Sequence, residues 1–173
     1  MSSLEEATKP ILAPMTHMGL PALQPFGSFT LARWACKVAI ALQNERVDGS
    51  SFSTEQIADA TELRPSRATR VYAATRSSPD QVMLANRIFF FASDVTGSAL
   101  SPPRAQFGNH VVALGRVALL TRQINPAIAA RRWSSFFREP GPGWTQVWPT
   151  QTLSDRVEID DAAIRRTMND LAS

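Results

Sequence analysis

The stretch that decides the fold reading is SFSTEQIADATELRPSRATRVYAATR, residues 51–76. Ser53 and Gln56 have the spacing of a capping box, with Ser53 as the cap. Ile57, Ala58 and Ala60 then give a short helix an apolar face. Thr61–Arg64 reads as a turn with Leu63 turned inward, and Pro65 suits the first position of a second helix. Ala68, Val71, Tyr72 and Thr75 would share one side of that helix. Two short helices joined by such a turn predict a helix-turn-helix.

The residues that follow extend this reading. SSPDQ (77–81) breaks the chain, NRIFFFAS (86–93) has strand length and composition, DVTG (94–97) is a turn signal, and SALSP (98–102) is a short extended piece. Strand, turn and strand after a second helix predict a β-hairpin wing. Upstream, Pro10, Pro14, Pro21 and Pro25 interrupt residues 1–26, which are expected to form an N-terminal arm. Phe29–Gln43 reads as a helix, because Leu31, Trp34, Ala35, Val38, Ala41 and Leu42 recur at helical spacing. Downstream, GNHVVALGRVALLTRQI (108–124) reads as an apolar helix, and Asn125-Pro126 opens another that EPGPGW (139–144) stops. Residues 144–153 read as aromatic and irregular. Residues 159–171 read as an amphipathic helix with Ile164, Met168 and Leu171 on one face. The expected fold is therefore mainly α, with residues 27–173 forming a single helical domain around a winged helix-turn-helix.

The chain has 173 residues, 44% of them hydrophobic and 19% charged, which suits one domain with a real core. The single cysteine, Cys36, excludes an internal disulfide and is expected to be buried and inert. The N-terminus MSSLEEATKP carries acids and shows no secretory signal, and no apolar run has membrane-spanning length, so a cytoplasmic location is expected. Net charge is +3, yet Leu63–Arg138 holds eleven arginines against Asp80 and Asp94. Such a block either marks a nucleic-acid surface or reflects arginine-rich codon usage, since the chain has only two lysines, Lys9 and Lys37.

No complete catalytic constellation is visible. His17 and His110 lie far apart and away from any metal-ligand spacing. The glycines form neither a phosphate loop nor a dinucleotide fingerprint, and no serine nucleophile elbow is present. Asp160-Asp161 stands at a helix start, where the helix dipole favours acids.

The order of segments resembles the N-terminal dimerisation domain of S-adenosylmethionine-dependent small-molecule O-methyltransferases. FTLARWACKVAIAL (29–42) is similar to the family's first dimerisation helix. STEQIADATELRPSRATRVYAA (53–74) is similar to its T-x-x-E-L-A-x-x-T-G helix followed by a helix containing R-x-L-R-x-L, with Arg70 as the first arginine. NRIFFFASDVTGSALSP (86–102) resembles the wing that ends in an L-T-P-type sequence, GPGWTQVWPTQTLSD (141–155) the segment ahead of the catalytic domain, and AIRRTMNDLAS (163–173) the helix leading into it. Glu62 replaces the usual turn glycine, Arg64 replaces a capping residue, and Phe89–Phe91 is an unusual wing. The glycine-rich cofactor loop and the catalytic histidine of the family have no counterpart here.

The resemblance implies a methyltransferase-like dimerisation or accessory module that does not transfer methyl groups alone. S-adenosylmethionine would enter only with a partner chain supplying the catalytic domain. It implies a homodimer or such a partner, and a small-molecule pocket to which Trp144, Trp148 and Met168 could contribute, their alternative role being core packing. The second reading is a winged-helix DNA-binding regulator. In it Arg67 and Arg70 meet phosphates or guanine edges, Arg64 and Arg76 flank them, and Arg87 on the wing reaches the backbone.

Overall fold

The computed structural model describes residues 3–19, 25–44, 57–58, 65–66, 68–79, 82–93, 99–124, 140–149 and 157–169. Helices α1 (Ser3–Met18) and α2 (Pro25–Asn44) come first. Strands β1 (Thr69–Thr75), β2 (Met83–Ser93), β3 (Ala99–Leu114), β4 (Val117–Ile124) and β5 (Thr145–Trp148) follow, and helix α3 (Asp161–Asn169) closes the series. The strands form one sheet in the order β2-β3-β4-β1-β5, with every neighbouring pair antiparallel.

This overturns the mainly α, winged-helix expectation. The segment expected to be the second helix of the helix-turn-helix is β1, which pairs with β4 on one side and β5 on the other. Residues 108–124, expected to be an apolar helix, are a β-hairpin in which Leu114 pairs with Val117. The two wing strands exist, but they are the long strands β2 and β3 of the five-stranded sheet.

The physical reason is burial on both faces. Val71, Ala73, Val117, Leu119 and Val147 face α1 and α2, packing against Leu12, Met15, Leu31, Ala35 and Cys36. Tyr72, Ala74, Val111, Ala113, Ala118 and Leu120 face the other way, against Trp144, Ile159, Ile164 and Met168. A strand covered on both faces loses the polar–apolar alternation that identifies a half-exposed one. Runs such as VVAL and VALL are then as compatible with a buried helix as with a strand. The turn between them carries the deciding signal: Gly115, with φ +53°, is the first residue of a two-residue loop.

The helices follow from similar local causes. Residues 1–26 were expected to be an arm, yet 3–18 are helical despite Pro10 and Pro14. Leu4, Thr8, Leu12 and Met15 make the buried side, while both prolines lie on the exposed side. There the carbonyls that proline leaves without an N–H remain open to water. Gly19, with φ +80°, ends the helix and its N–H returns to the Met15 carbonyl at 2.9 Å. Helix α2 covers the expected 29–43. The expected capping residues Ser53 and Gln56, and the expected helix from Asn125, lie outside the described residues, whereas Ile57 and Ala58 are helical and exposed. Residues 145–148, expected to be irregular, are β5, which has a register shift against β1 between Val71 and Tyr72.

Candidate functional site

Helix α3 is the described element that covers the second face of the sheet, and it is fixed at both ends. At its start the Asp160 carboxylate accepts the Ala163 N–H at 2.6 Å, an N-cap interaction. Asp161 accepts from Nη2 and Nε of Arg76, at 2.7 and 3.2 Å. Arg76 is wholly buried, and its Nη1 donates to the Gly115 carbonyl at 3.1 Å. One guanidinium therefore ties the end of β1, the β3–β4 turn and the first turn of α3 together. Arg116 pairs with Glu158 beside it.

At the other end the sheet supplies donors to the last carbonyls of the helix, which have no partner within it. Asn109 Nδ2 donates to the Met168 carbonyl at 3.2 Å and to the Thr167 carbonyl at 3.5 Å. Arg122 Nη2 reaches the Thr167 carbonyl at 3.5 Å, placing a cation at the negative end of the helix dipole. Thr167 Oγ1 donates to Pro140 O at 3.2 Å, and Arg87 Nη1 bonds Asn169 Oδ1. Register aligns Arg87, Asn109, Arg122 and Arg70 in one row across β2, β3, β4 and β1. That polar row follows the apolar row Ala85–Val111–Leu120–Tyr72, so the sheet changes character where α3 ends.

Two cavities flank the helix thus held. One, of about 390 Å³, is a groove between β2 and α3. Its walls are Met83, Leu84, Ala85, Asn86 and Arg87 from the strand, and Ile164, Arg165, Met168 and Asn169 from the helix and its end. The other, of about 510 Å³, lies against Trp144, the Pro140–Pro142 segment, Ala163 and Arg166. Both volumes fall within the ordinary range of ligand sites.

The first groove has an unusual wall. β2 is an edge strand of eleven residues whose only charged side chain is Arg87. Val82 just before it is 68% exposed and Leu84 within it 56% exposed. Natural sheets usually blunt such an edge with a short strand, charges or proline. The opposite edge, β5, has four residues and fits that rule; β2 is long and carries one charge, with register shifts against β3 only beyond Phe89.

The structure separates the residues expected to line one pocket. Met168 borders the β2 groove and Trp144 borders the second cavity, and both join the same buried cluster. Trp148 packs with the core on the opposite face, 5.6 Å from the Phe29 ring, and its Nε1 donates to the Ser66 carbonyl at 3.4 Å. Of the arginines expected on a recognition helix, Arg76 is the buried tie to Asp161 and Arg70 is half-buried on β1. Arg64 and Arg67 lie outside the described residues. His110 is buried, with Nε2 2.7 Å from Gln43 Nε2, and His17 is exposed. Among the described residues no three His, Cys, Asp or Glu side chains gather to hold a metal ion, and no helix is long and apolar enough to cross a membrane. Sequence reasoning placed Arg87 on a wing and Ile164 and Met168 on one helix face, but missed that they meet. Strand order is the fact that brings them together, and no local pattern encodes it.

No family model, no curated protein and no solved structure matches the chain.

Proposed function

We propose that this protein is a docking module, an accessory component that holds a partner chain along the side of the molecule formed by β2 and α3. The observation that carries this reading is the long, largely apolar edge strand β2, with Val82 and Leu84 exposed at its start, beside a cationic groove. An edge strand presents unpaired N–H and C=O groups, and a chain that adds to it satisfies them while burying side chains on the groove floor. Helix α3, capped at its start and held by the sheet at its end, gives that groove a fixed second wall. A preformed wall lowers the ordering cost of binding.

Panning random displayed peptides of strand length on the full chain tests this reading. Selected binders should lose roughly tenfold or more in affinity, ~1.4 kcal/mol, on Leu84→Pro. A proline on the outer side of an edge strand removes a docking donor without removing a ladder hydrogen bond. Binders indifferent to Leu84→Pro, and to Ile88→Pro as a second variant that removes an outward N–H, would contradict the reading, as would the recovery of no binders.

A further inference from the structure

We infer that the docked segment is an extended stretch of a partner chain, added to β2 as a further strand of the sheet, whose groove-facing residues are apolar beside Met83 and Ala85 and acidic beside Arg87 and Arg165. The inference rests on the docking reading above and adds the chemistry of what docks.

The backbone comes first. The β3–β4 loop has two residues, Gly115 and Arg116, and its closing pair is Leu114–Val117. In such a hairpin the closing pair is hydrogen-bonded, and antiparallel pairing alternates bonded and non-bonded pairs. On β3 the even-numbered residues from Leu114 back to Gly108 therefore serve β4. Ala113, Val111 and Asn109 serve β2, through their partners Met83, Ala85 and Arg87. This leaves the N–H and C=O groups of Leu84, Asn86 and Ile88 directed outward, beside an exposed Leu84 side chain.

The side chains come next. A strand laid beside β2 sends alternate residues to the α3 side. There they would meet Met83 and Ala85 below and Ile164 and Met168 alongside, which is an apolar floor. Met83 to Arg87 spans roughly 13 Å at strand rise, enough for four or five residues of an added strand.

Charge selects the occupant. Among the described residues, the groove is lined by two cations, Arg87 and Arg165, and by no acid. Arg87 lies over the Phe89 ring at 5.6 Å and bonds the Asn169 side chain, so its guanidinium is held at the rim. A second copy of β2 would bring another Arg87 and no acid into this cationic groove, which disfavours self-pairing. Carboxylates on the incoming strand meet Arg87 and Arg165 instead.

Fluorescence polarisation on the full chain tests this with three labelled strand-length peptides of alternating valine and threonine, in which one terminal valine, on the same face as the other valines, is replaced by Asp, Asn or Lys. The Asp peptide should bind at least about tenfold tighter than the Asn peptide at low salt, and the Lys peptide weakest. In Arg87→Gln/Arg165→Gln the Asp advantage should vanish while Asn-peptide binding stays. Leu84→Pro, or Ile88→Pro if that variant does not fold by circular dichroism, should remove binding of both. Equal binding of Asp and Asn peptides that Leu84→Pro abolishes would overturn the acidic assignment and leave the docking reading standing. No binding, or binding untouched by either edge variant, would overturn both. Full competition by a short free fatty acid, with the edge variants without effect, would make the groove a small-molecule site and overturn the inference.

Discussion

Removing the Asp161 carboxylate should cost the fold about 3 kcal/mol, and the size follows from where Arg76 sits. The Arg76 side chain is 0% exposed and that of Asp161 is 32% exposed. Removing one partner of a buried ion pair costs roughly 3–5 kcal/mol, because the other charge stays buried. Partial solvent access at Asp161 brings the figure toward the lower bound. Loss of an acid from the first turn of α3 adds up to about 1 kcal/mol. The Gly115 carbonyl still serves Arg76 Nη1, which keeps the total near 3 kcal/mol rather than 5. With a urea slope of about 2 kcal/mol per molar, the unfolding midpoint of Asp161→Ala should fall by about 1.5 M. Arg76→Met combined with Asp161→Ala removes both charges and leaves an apolar chain of similar length. That double variant should be more stable than Asp161→Ala alone by at least about 1 kcal/mol. Tryptophan fluorescence in urea reads both. A single variant within about 0.5 kcal/mol of wild type, or a double variant that loses the sum of the two singles, would refute the reasoning.

Gly115→Ala should destabilise by about 2–4 kcal/mol in thermal melts, since φ is +53° and a Cβ there would lie 2.3 Å from the Thr16 carbonyl oxygen of α1. Asp160→Ala removes the α3 cap and should cost about 1 kcal/mol, with Asp160→Asn close to neutral. Burial pushes the Cys36 thiol up to about 12, so the native chain should resist thiol reagents at pH 8 and react on unfolding. The sign of its pH effect follows: the native state keeps a proton that the unfolded chain loses above about pH 8.5, so this contribution is full below that pH and declines as pH rises toward the folded value. The stability of wild type relative to Cys36→Ala should fall by about 2 kcal/mol between pH 8 and pH 10, read by urea unfolding under reducing conditions.

The sequence carried the helices better than the sheet. Helix α2 was legible because Leu31, Ala35 and Cys36 fall on one buried side over twenty residues. Helix α3 was legible because Asp160 caps it and Ile164 and Met168 share a face. The strand character of NRIFFFAS was legible too, but its place at the edge of a larger sheet was not. Thr69–Thr75 was misread because TRVYAAT has two adjacent alanines where a helix former is expected, although Val71, Tyr72 and Thr75 are strand-favouring. Residues 108–124 were misread because helices cover both faces of that hairpin, and only Gly115-Arg116 marked the reversal. The groove was invisible for a further reason. Arg87 and Arg165 are 78 positions apart and meet through strand order, whereas the arginines clustered in sequence, such as Arg70 and Arg76, are drawn into the sheet and its ties.

The central claim is that β2 is an open edge built to receive another strand. Amide hydrogen exchange of nitrogen-labelled protein, followed residue by residue by NMR, tests it most directly. The account expects an alternation along β2: slow exchange at Ala85 and Arg87, which bond to β3, and fast exchange at Leu84, Asn86 and Ile88. Adding the Asp-containing peptide should slow the second set and leave the first unchanged. Equal protection of both sets in the free chain, or no change at Leu84, Asn86 and Ile88 at saturating peptide, would contradict it.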